Sequence, residues 1–327
     1  MKNFFLLHFL LVSTFLSFAD VPAWVKNPDK AYPSSEYVKA VGEGNNLNQA
    51  QNSAVSGISL FFDTKTEIVA TAIKQMSSIV EGDKRKFEAN QYLSQAAQIT
   101  SNAEFFCVKF TESYYDSKRD KFSVLAYINK KEAAQIYTSR INALTGSIGA
   151  YRDYAKSEKE PFLATMALHK AVILSEITKN YIHNENMLIP SDTGKFQPNL
   201  NTISLIPAEY DEAKKNVTFA ISIVQKEKVF DPIFSTVASI LERYGYAYSV
   251  KNPVYKIVVD ISCIEESYNA GEFVRPSVDA LVLNNAGEGM YTYSKAFPRI
   301  GGKTMEQAYT RSVTKIKQDL EENFLAE

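Results

Sequence analysis

The amino-acid sequence predicts an α+β fold, in which two α/β blocks with mainly antiparallel sheets packed by helices follow one another. Three observations predict this class: short segments alternate apolar and polar residues, longer segments repeat apolar residues at helical spacing, and polar clusters separate neighbouring strand-like segments. The 327 residues suffice for two ordinary domains. We expect one domain over residues 20–160, a helical connector over 161–189, a Pro- and Asn-rich linker over 190–210, and a second domain over 211–327.

The first block begins with a predicted strand over residues 36–41. Apolar residues then recur at helical spacing, at Leu47, Ala50, Ala54, Ile58 and Phe61. Residues 64–79 are β-branched and apolar, which predicts a long strand, and residues 84–98 predict a helix. The polar run at residues 116–120 separates two strand-like segments and therefore predicts a hairpin.

The middle of the chain predicts helices over residues 132–156 and 162–181. Pro161 precedes the second helix at a first-turn position, where its missing N–H costs nothing. Residues 190–207 contain three prolines, a glycine and several polar turn formers, with little periodicity. This composition predicts a linker or a long excursion between the domains.

The second block opens with a strand over residues 217–224 and a helix that begins at Asp231-Pro232 and ends at Gly245. Three further segments, residues 255–263, 277–283 and 290–297, predict strands, and the last two form a hairpin. A final helix carries one apolar stripe, made of Met305, Tyr309, Val313, Ile316, Leu320 and Phe324. Thr304 and Gln307 are spaced as its capping box.

The amino terminus is typical of a secretory signal over residues 1–19. Lys2 precedes an apolar run over residues 4–18, which ends in the small-x-small pattern Ser17-Phe18-Ala19. We expect cleavage before Asp20, and an uncleaved anchor is the alternative. The run is shorter than the ~20 residues that a bilayer span needs.

The charge balance bears on the class of partner. The chain has 36 Lys and Arg against 37 Asp and Glu, a formal net charge of −1. This balance argues against nucleic acid or anionic lipid held mainly by charge. The two cysteines, Cys107 and Cys263, lie in separate strand-like segments, which favours buried free thiols, while a disulfide stays open as the alternative.

Two glycine motifs resemble nucleotide-binding loops without matching them. Gly42-Glu43-Gly44 lies between a strand and a helix and Asp63 follows at a suitable distance, but Leu47 occupies the third glycine position. We interpret this motif as a turn, with Asn45 or Asn46 as the helix cap. Gly301-Gly302-Lys303-Thr304 has Phe297 where a phosphate-binding loop needs glycine, so Thr304 is interpreted as a helix cap.

No residue pattern predicts catalysis. After residue 19 only His169 and His183 remain as histidines, and their neighbours suggest neither a metal site nor a nucleophile triad. Carboxylates that only folding brings together stay open as an alternative. We therefore expect a protein without enzymatic activity, cofactor or metal.

The segment around the chain's only tryptophan resembles a known family. Pro22-Ala23-Trp24, Tyr37-Val38 and Ala40-Val41-Gly42-Glu43-Gly44, followed by a helix with Ala50 and Ala54, resemble the start of the Lpp-twenty type envelope lipoprotein domain. The likeness continues through the strand at residues 122–128 and covers residues 20–160. Flagellar assembly protein T and its relatives share this kind of domain. The resemblance implies an exported, non-enzymatic envelope protein, often attached to the outer membrane.

The resemblance also shapes the expected membrane contact and partners. This sequence lacks the lipid-accepting cysteine, so membrane contact is expected to be indirect or peripheral. Expected partners are envelope proteins, with an outer-membrane or flagellar assembly among the settings, and no nucleic acid. The expected location is the periplasm or the periplasmic face of the outer membrane.

Three aromatic residues are candidates for interaction. Trp24 lies on a proline-flanked lead-in, where its ring either covers the edge of the core or anchors a partner. Tyr291 and Tyr293 share one face of a strand, where they line a ligand surface or pack into the core. The first hypothesis is thus a structural or interaction module of the envelope, and the alternative is a periplasmic module that binds a small ligand or a glycan.

Overall fold

The computed structural model describes residues 21–62, 107–249 and 251–325. They form two units: residues 21–62 with 107–130, and residues 131–249 with 251–325. Helices and open sheets are present in both, which confirms the predicted α+β class. The predicted signal and the elements predicted at residues 64–79 and 84–98 lie outside the described residues.

The first unit is a four-stranded antiparallel sheet with helices beside it. Its elements are α1 (Ala23–Lys26), α2 (Pro28–Ala31), β1 (Tyr37–Gly44), α3 (Leu47–Ser59), β2 (Lys109–Phe110), β3 (Tyr114–Asp116) and β4 (Lys121–Asn129). Strand β4 is central, because β1, β2 and β3 all pair with it. The predicted hairpin turn is present, and Asp116 Oδ1 accepts a hydrogen bond from the Lys118 N–H at 3.0 Å within it.

The first glycine motif differs from the expected turn. Gly42 and Gly44 are paired residues of β1, opposite Val124 and Phe122. A Cβ at Gly42 would lie 2.1 Å from the Ala50 carbonyl oxygen, because α3 rests directly on the strand. The glycines therefore permit close packing of a helix on a strand. Asn46 caps α3, and its Oδ1 accepts a hydrogen bond from the Gln49 N–H at 2.9 Å.

The second unit begins with helices. They are α4 (Lys130–Ser157), α5 (Pro161–Leu188), α6 (Gln197–Ile203) and α7 (Ile206–Lys214), with a 3₁₀ turn at Pro190–Asp192. Residues 190–210 were expected to form a linker, and they are largely helical. Each of the three prolines lies in the first two positions of a 3₁₀ turn or a helix, where no N–H donor is needed. Buried Ile203 and Ile206 then anchor this segment to the unit.

A mixed six-stranded sheet follows, with the order β10-β8-β7-β5-β6 and β9 also paired with β8. The elements are β5 (Thr218–Val224), α8 (Pro232–Arg243), β6 (Ala247–Tyr248), β7 (Tyr255–Tyr268), β8 (Gly271–Asn284), β9 (Gly289–Ala296), β10 (Ile300–Gly302) and α9 (Met305–Asn323), with a 3₁₀ turn at Lys228–Phe230 before α8. Strand β5 is parallel to β6 and β7, whereas β8 is antiparallel to its neighbours. Helices α8 and α9 cover one face of the sheet and form the core with it.

Helix α5 also contributes to this core. Phe162, at the start of α5, is fully buried, with its ring 5.5 Å from Phe219 and 5.6 Å from Tyr255. The helix that was expected to connect two domains is therefore an integral part of the second unit. In the residues that the structure describes, no helix combines the length and apolar character that a membrane span requires.

Candidate interaction surface

One face of the second sheet is open to solvent. Along β7, Tyr255, Ile257, Val259 and Ile261 are buried on the face that α8 and α9 cover, whereas Lys256, Asp260, Ser262 and Ile264 are exposed. This alternation is the pattern of an antiparallel pair with one solvated face. The open face is therefore available for contact with other molecules.

The hairpin of β7 and β8 carries an unusual group of side chains on this face near its turn. Ile264 pairs with Arg275, and Glu266 pairs with Phe273, so these four side chains lie together. Tyr268 follows on the same face, and Arg299 precedes the neighbouring strand β10. We call this group the Arg–aromatic patch: Ile264, Glu266, Tyr268, Phe273, Arg275 and Arg299.

Arg299 organises the patch. Its guanidinium carbon lies 4.6 Å from the ring centre of Phe273 and 5.3 Å from that of Tyr268, and both distances are within the range of a cation–π contact. Glu266 orients two arginines, with Oε1 2.9 Å from Arg275 Nε and Oε2 3.7 Å from Arg299 Nη1. These contacts join two arginines, one carboxylate and two aromatic rings into one group.

Gly301 makes this arrangement possible. It lies opposite Phe273 in the sheet, and a Cβ at this position would be 2.7 Å from the Phe273 ring. The Phe273 ring thus occupies the space that any other residue would fill. Arg311 on α9 fixes this part of β10, because its Nη1 donates a hydrogen bond to the Gly301 carbonyl at 2.6 Å.

The patch has the composition of a protein-binding surface. Ile264 is 65% exposed and Tyr268 is 53% exposed, beside an arginine that is already held by two rings. Tyrosine and arginine are enriched among the residues that dominate binding energy in interfaces. A partner protein could stack on Arg299 and Tyr268, make apolar contact with Ile264, and meet charged groups at the edge of the patch.

The sequence pattern alone does not mark these six residues as one group. Ile264, Glu266 and Tyr268 alternate on one face, and this signal was visible in the sequence. However, their proximity to Phe273 and Arg275 depends on strand register, and the position of Arg299 depends on the approach of β10.

The residues singled out from the sequence lie elsewhere. Trp24 is in α1 of the first unit and is only 7% exposed, the position expected of a ring that covers the core. Tyr291 and Tyr293 lie on the covered face of β9, with ring centres 5.9 and 6.0 Å from that of Phe324. The Tyr291 hydroxyl accepts a hydrogen bond from the Leu325 N–H at 3.1 Å, and the Tyr293 hydroxyl donates to Asp319.

Burial shifts the pKa of both His169 and Cys263 in the direction that favours the uncharged form. Burial lowers the pKa of His169 to about 4, with Lys214 and Lys170 adding to the shift, and its ring lies between Tyr210 and Tyr244. Burial raises the pKa of the Cys263 thiol to about 11, with smaller contributions from Glu227 and Glu265.

Neither Cys107 nor Cys263 is part of a disulfide, and Cys107, half-buried in the first unit, has a φ of 67°. Thr304 Oγ1 accepts a hydrogen bond from the Gln307 N–H at 3.3 Å, so Thr304 is the predicted helix cap. Within residues 21–62, 107–249 and 251–325, no group of three or more His, Cys, Asp or Glu is placed to hold a metal ion.

Comparisons with known proteins give few matches. No family model matches the sequence, and no curated protein matches it significantly. The chain is similar to the secreted protein HP1454 from Helicobacter pylori at 10% identity and a TM-score of 0.39, over 87% of this chain and 97% of that chain. It is similar to a minor lipoprotein from Acinetobacter baumannii at 12% identity and a TM-score of 0.22, over 33% and 94% of the two chains.

Proposed function

We propose that this chain is an exported cell-envelope protein that acts without catalysis, as a structural or interaction module. The observation that carries the proposal is the Arg–aromatic patch, in which Arg299 is held over Phe273 and Tyr268 on an open sheet face beside exposed Ile264. Aromatic and arginine side chains on this open face do not contribute to the hydrophobic core on the other side of the sheet. They suit the binding of a partner protein.

The location rests on the sequence. The apolar run after Lys2 and the small-x-small pattern before Asp20 support export. The resemblance to the Lpp-twenty type domain supports the periplasm or the periplasmic face of the outer membrane, with envelope proteins as partners. An outer-membrane or flagellar assembly is the setting in which we place such partners.

Site-specific photo-crosslinking in the native host tests the proposal. Benzoylphenylalanine in place of Ile264 is expected to give one defined adduct with an envelope protein. The matched control carries the same probe at Leu205, another exposed apolar position of the second unit. We expect no adduct there.

Two charge-matched variants sharpen this test. Arg299→Ala is expected to abolish the Ile264 adduct, because the stacked cation is lost. Lys315→Ala removes the same charge from an exposed position on α9 and is expected to leave the adduct unchanged. No adduct at Ile264, or an adduct that both variants retain, would contradict the assignment of the patch.

Location and activity are tested separately. Mass spectrometry of the native protein is expected to show an amino terminus at Asp20, with the protein in the envelope fraction until an alkaline wash. Steady turnover of a defined substrate by the purified chain would refute the non-enzymatic role. A saturable thermal shift with a sugar or another small ligand would favour the ligand-binding alternative.

A further inference from the structure

Among the strands of residues 131–249 and 251–325, none pairs with one edge of β5 beyond its first two residues. Strand β6 pairs only with Thr218 and Phe219, whereas β7 pairs with β5 from Phe219 through Val224 on the other side. No further strand in residues 131–249 and 251–325 pairs with residues 220–224. We call this five-residue stretch the β5 edge.

The backbone direction along the β5 edge follows from two hydrogen bonds. The Phe219 carbonyl accepts from the Ser249 N–H at 2.7 Å, on the side of β6. The Thr218 carbonyl accepts from the Val254 N–H at 3.1 Å, on the side of β7. Because these directions alternate along a strand, the N–H and C=O groups of Ile221 and Ile223 point toward the unpaired edge.

An apolar surface lies beside this edge. Phe234 of α8 is 41% exposed and Tyr248 of β6 is 44% exposed, with ring centres 6.3 Å apart in an edge-to-face arrangement. Tyr248 pairs with Phe219, so its ring lies on the side of the sheet that α8 covers. Two exposed aromatic side chains therefore lie on the covered side of the sheet, next to the start of the β5 edge. Val224 is exposed on the opposite, open face, because it pairs with Asp260.

A polar atom at the end of the edge adds an independent observation. Gln225 directly follows Val224, and its Nε2 donates a hydrogen bond to Asp231 Oδ1 at 2.9 Å. Its Oε1 is buried without a hydrogen-bond partner. A buried acceptor normally has a donor, so the described residues leave the hydrogen bonding of Gln225 incomplete at this end of the strand.

We propose that the β5 edge, with Phe234 and Tyr248, binds an extended peptide segment of a partner protein as an additional strand. A peptide backbone supplies alternating donors and acceptors to Ile221 and Ile223, and every second side chain faces the aromatic pair. The peptide is therefore expected to be apolar at alternate positions. Five paired residues correspond to ~17 Å of strand.

The geometry favours a free peptide over a second copy of this chain. Strand β6 occupies the same edge at Thr218 and Phe219. A second β5 running antiparallel would have to carry its following 3₁₀ turn, Lys228–Phe230, past β6. A peptide has no such continuation. The site is separate from the Arg–aromatic patch, so either assignment can fail without the other.

Peptide selection on the full chain tests the proposal. A phage-displayed library of random peptides of about ten residues is selected against the protein, and the recovered peptides are synthesised. We expect apolar residues at every second position. On binding, the amide hydrogens of Ile221 and Ile223 are expected to exchange more slowly, because they become bonded to the peptide.

Variants at exposed positions keep the test independent of folding. Phe234→Ala and Tyr248→Ala are each expected to weaken peptide binding about tenfold, which corresponds to ~1.4 kcal/mol. Tyr268→Ala in the Arg–aromatic patch is the control and is expected to bind the peptides unchanged. Failure to select peptides, equal binding by Phe234→Ala, or unaltered exchange at Ile221 and Ile223 would overturn the proposal. If the protein formed a dimer and the Ile221 and Ile223 amides were protected without peptide, the proposal would be wrong and the β5 edge would instead bind a second copy of the chain.

Discussion

The backbone N–H of Phe162 donates a hydrogen bond to the Tyr255 hydroxyl at 3.1 Å, where helix α5 meets strand β7. The same hydroxyl donates to Glu160 Oε2 at 3.0 Å. The Tyr255 hydroxyl thus accepts a hydrogen bond from an N–H in the first turn of α5 and donates one to the carboxylate just before that helix. This contact joins the helices of the second unit to its sheet.

Tyr255→Phe is expected to destabilise the second unit by ~1 to 3 kcal/mol, because the Phe162 N–H would remain buried without an acceptor. Chemical denaturation followed by circular dichroism measures the change. Tyr268→Phe is the matched control: its hydroxyl donates a hydrogen bond to Glu266 Oε2 at 3.2 Å at an exposed site, and a change in the free energy of unfolding within ~0.5 kcal/mol is expected. Equal effects of the two substitutions would show that the Phe162 contact contributes nothing specific.

Gly42→Ala is expected to destabilise the first unit by ~1 to 3 kcal/mol, because the added methyl would overlap the Ala50 carbonyl and the Ala54 N–H. Thermal unfolding measures this loss. Gly149→Ala is the control, and a change in stability of the opposite sign is expected for it. Gly149 lies inside helix α4, and a Cβ there meets no atom within 4 Å. It is expected to stabilise by ~0.5 to 1 kcal/mol. A neutral Gly42→Ala would refute the close approach of α3.

His169 is expected to make the protein less stable in mild acid. Its pKa of about 4 in the folded state is below the unfolded value of ~6.5, so the unfolded chain binds the proton more readily. Stability from this residue is complete above pH ~6.5 and is lost as the pH falls toward ~4, with a total of ~3 kcal/mol. Denaturation of the protein at pH ~7.5 and ~5 measures the loss.

His169→Phe keeps an aromatic ring against Tyr210 and Tyr244 and removes the titrating group. We expect this variant to lose less stability than the wild type between the two pH values. NMR titration of the His169 ring provides a direct check. A midpoint near ~6.5 would contradict the buried, neutral histidine.

Cys263 is expected to resist alkylation in the folded protein. With a pKa of about 11, very little thiolate is present near neutral pH, and the thiolate is the reactive form. Site-resolved mass spectrometry after treatment with iodoacetamide is expected to show little modification of Cys263 until the pH approaches ~11 or urea unfolds the chain. Rapid modification at pH ~8 in the folded state would disprove this environment.

The regular elements of the second unit were predictable because each depends on local periodicity. Alternation in β5 and the Asp231-Pro232 start of α8 were both visible in the sequence. Residues 190–210 were harder, since proline is typical of loops and of first helical turns alike. Only the burial of Ile203 and Ile206 distinguishes these cases, and burial depends on the tertiary structure.

The role of Gly42 and the position of the Arg–aromatic patch also depend on contacts between elements, which a sequence pattern does not show. Gly42 was interpreted as part of a turn, but a glycine that permits a turn and one that permits close packing look identical in a sequence. The Arg–aromatic patch needed the pairing of Glu266 with Phe273 and the approach of β10. Neither can be derived from a pattern within one strand.

The hairpin of β7 and β8 has a consequence for the order of folding. Its two strands pair fourteen residues each across a connection of two residues, so its contacts are local in the sequence. The contact of Phe162 with Tyr255 spans 93 residues and carries a larger loop-closure cost. We expect the hairpin to form early and to present Tyr255 as a template. The amino-terminal end of α5 then docks last, and that step completes the hydrophobic interior of the second unit.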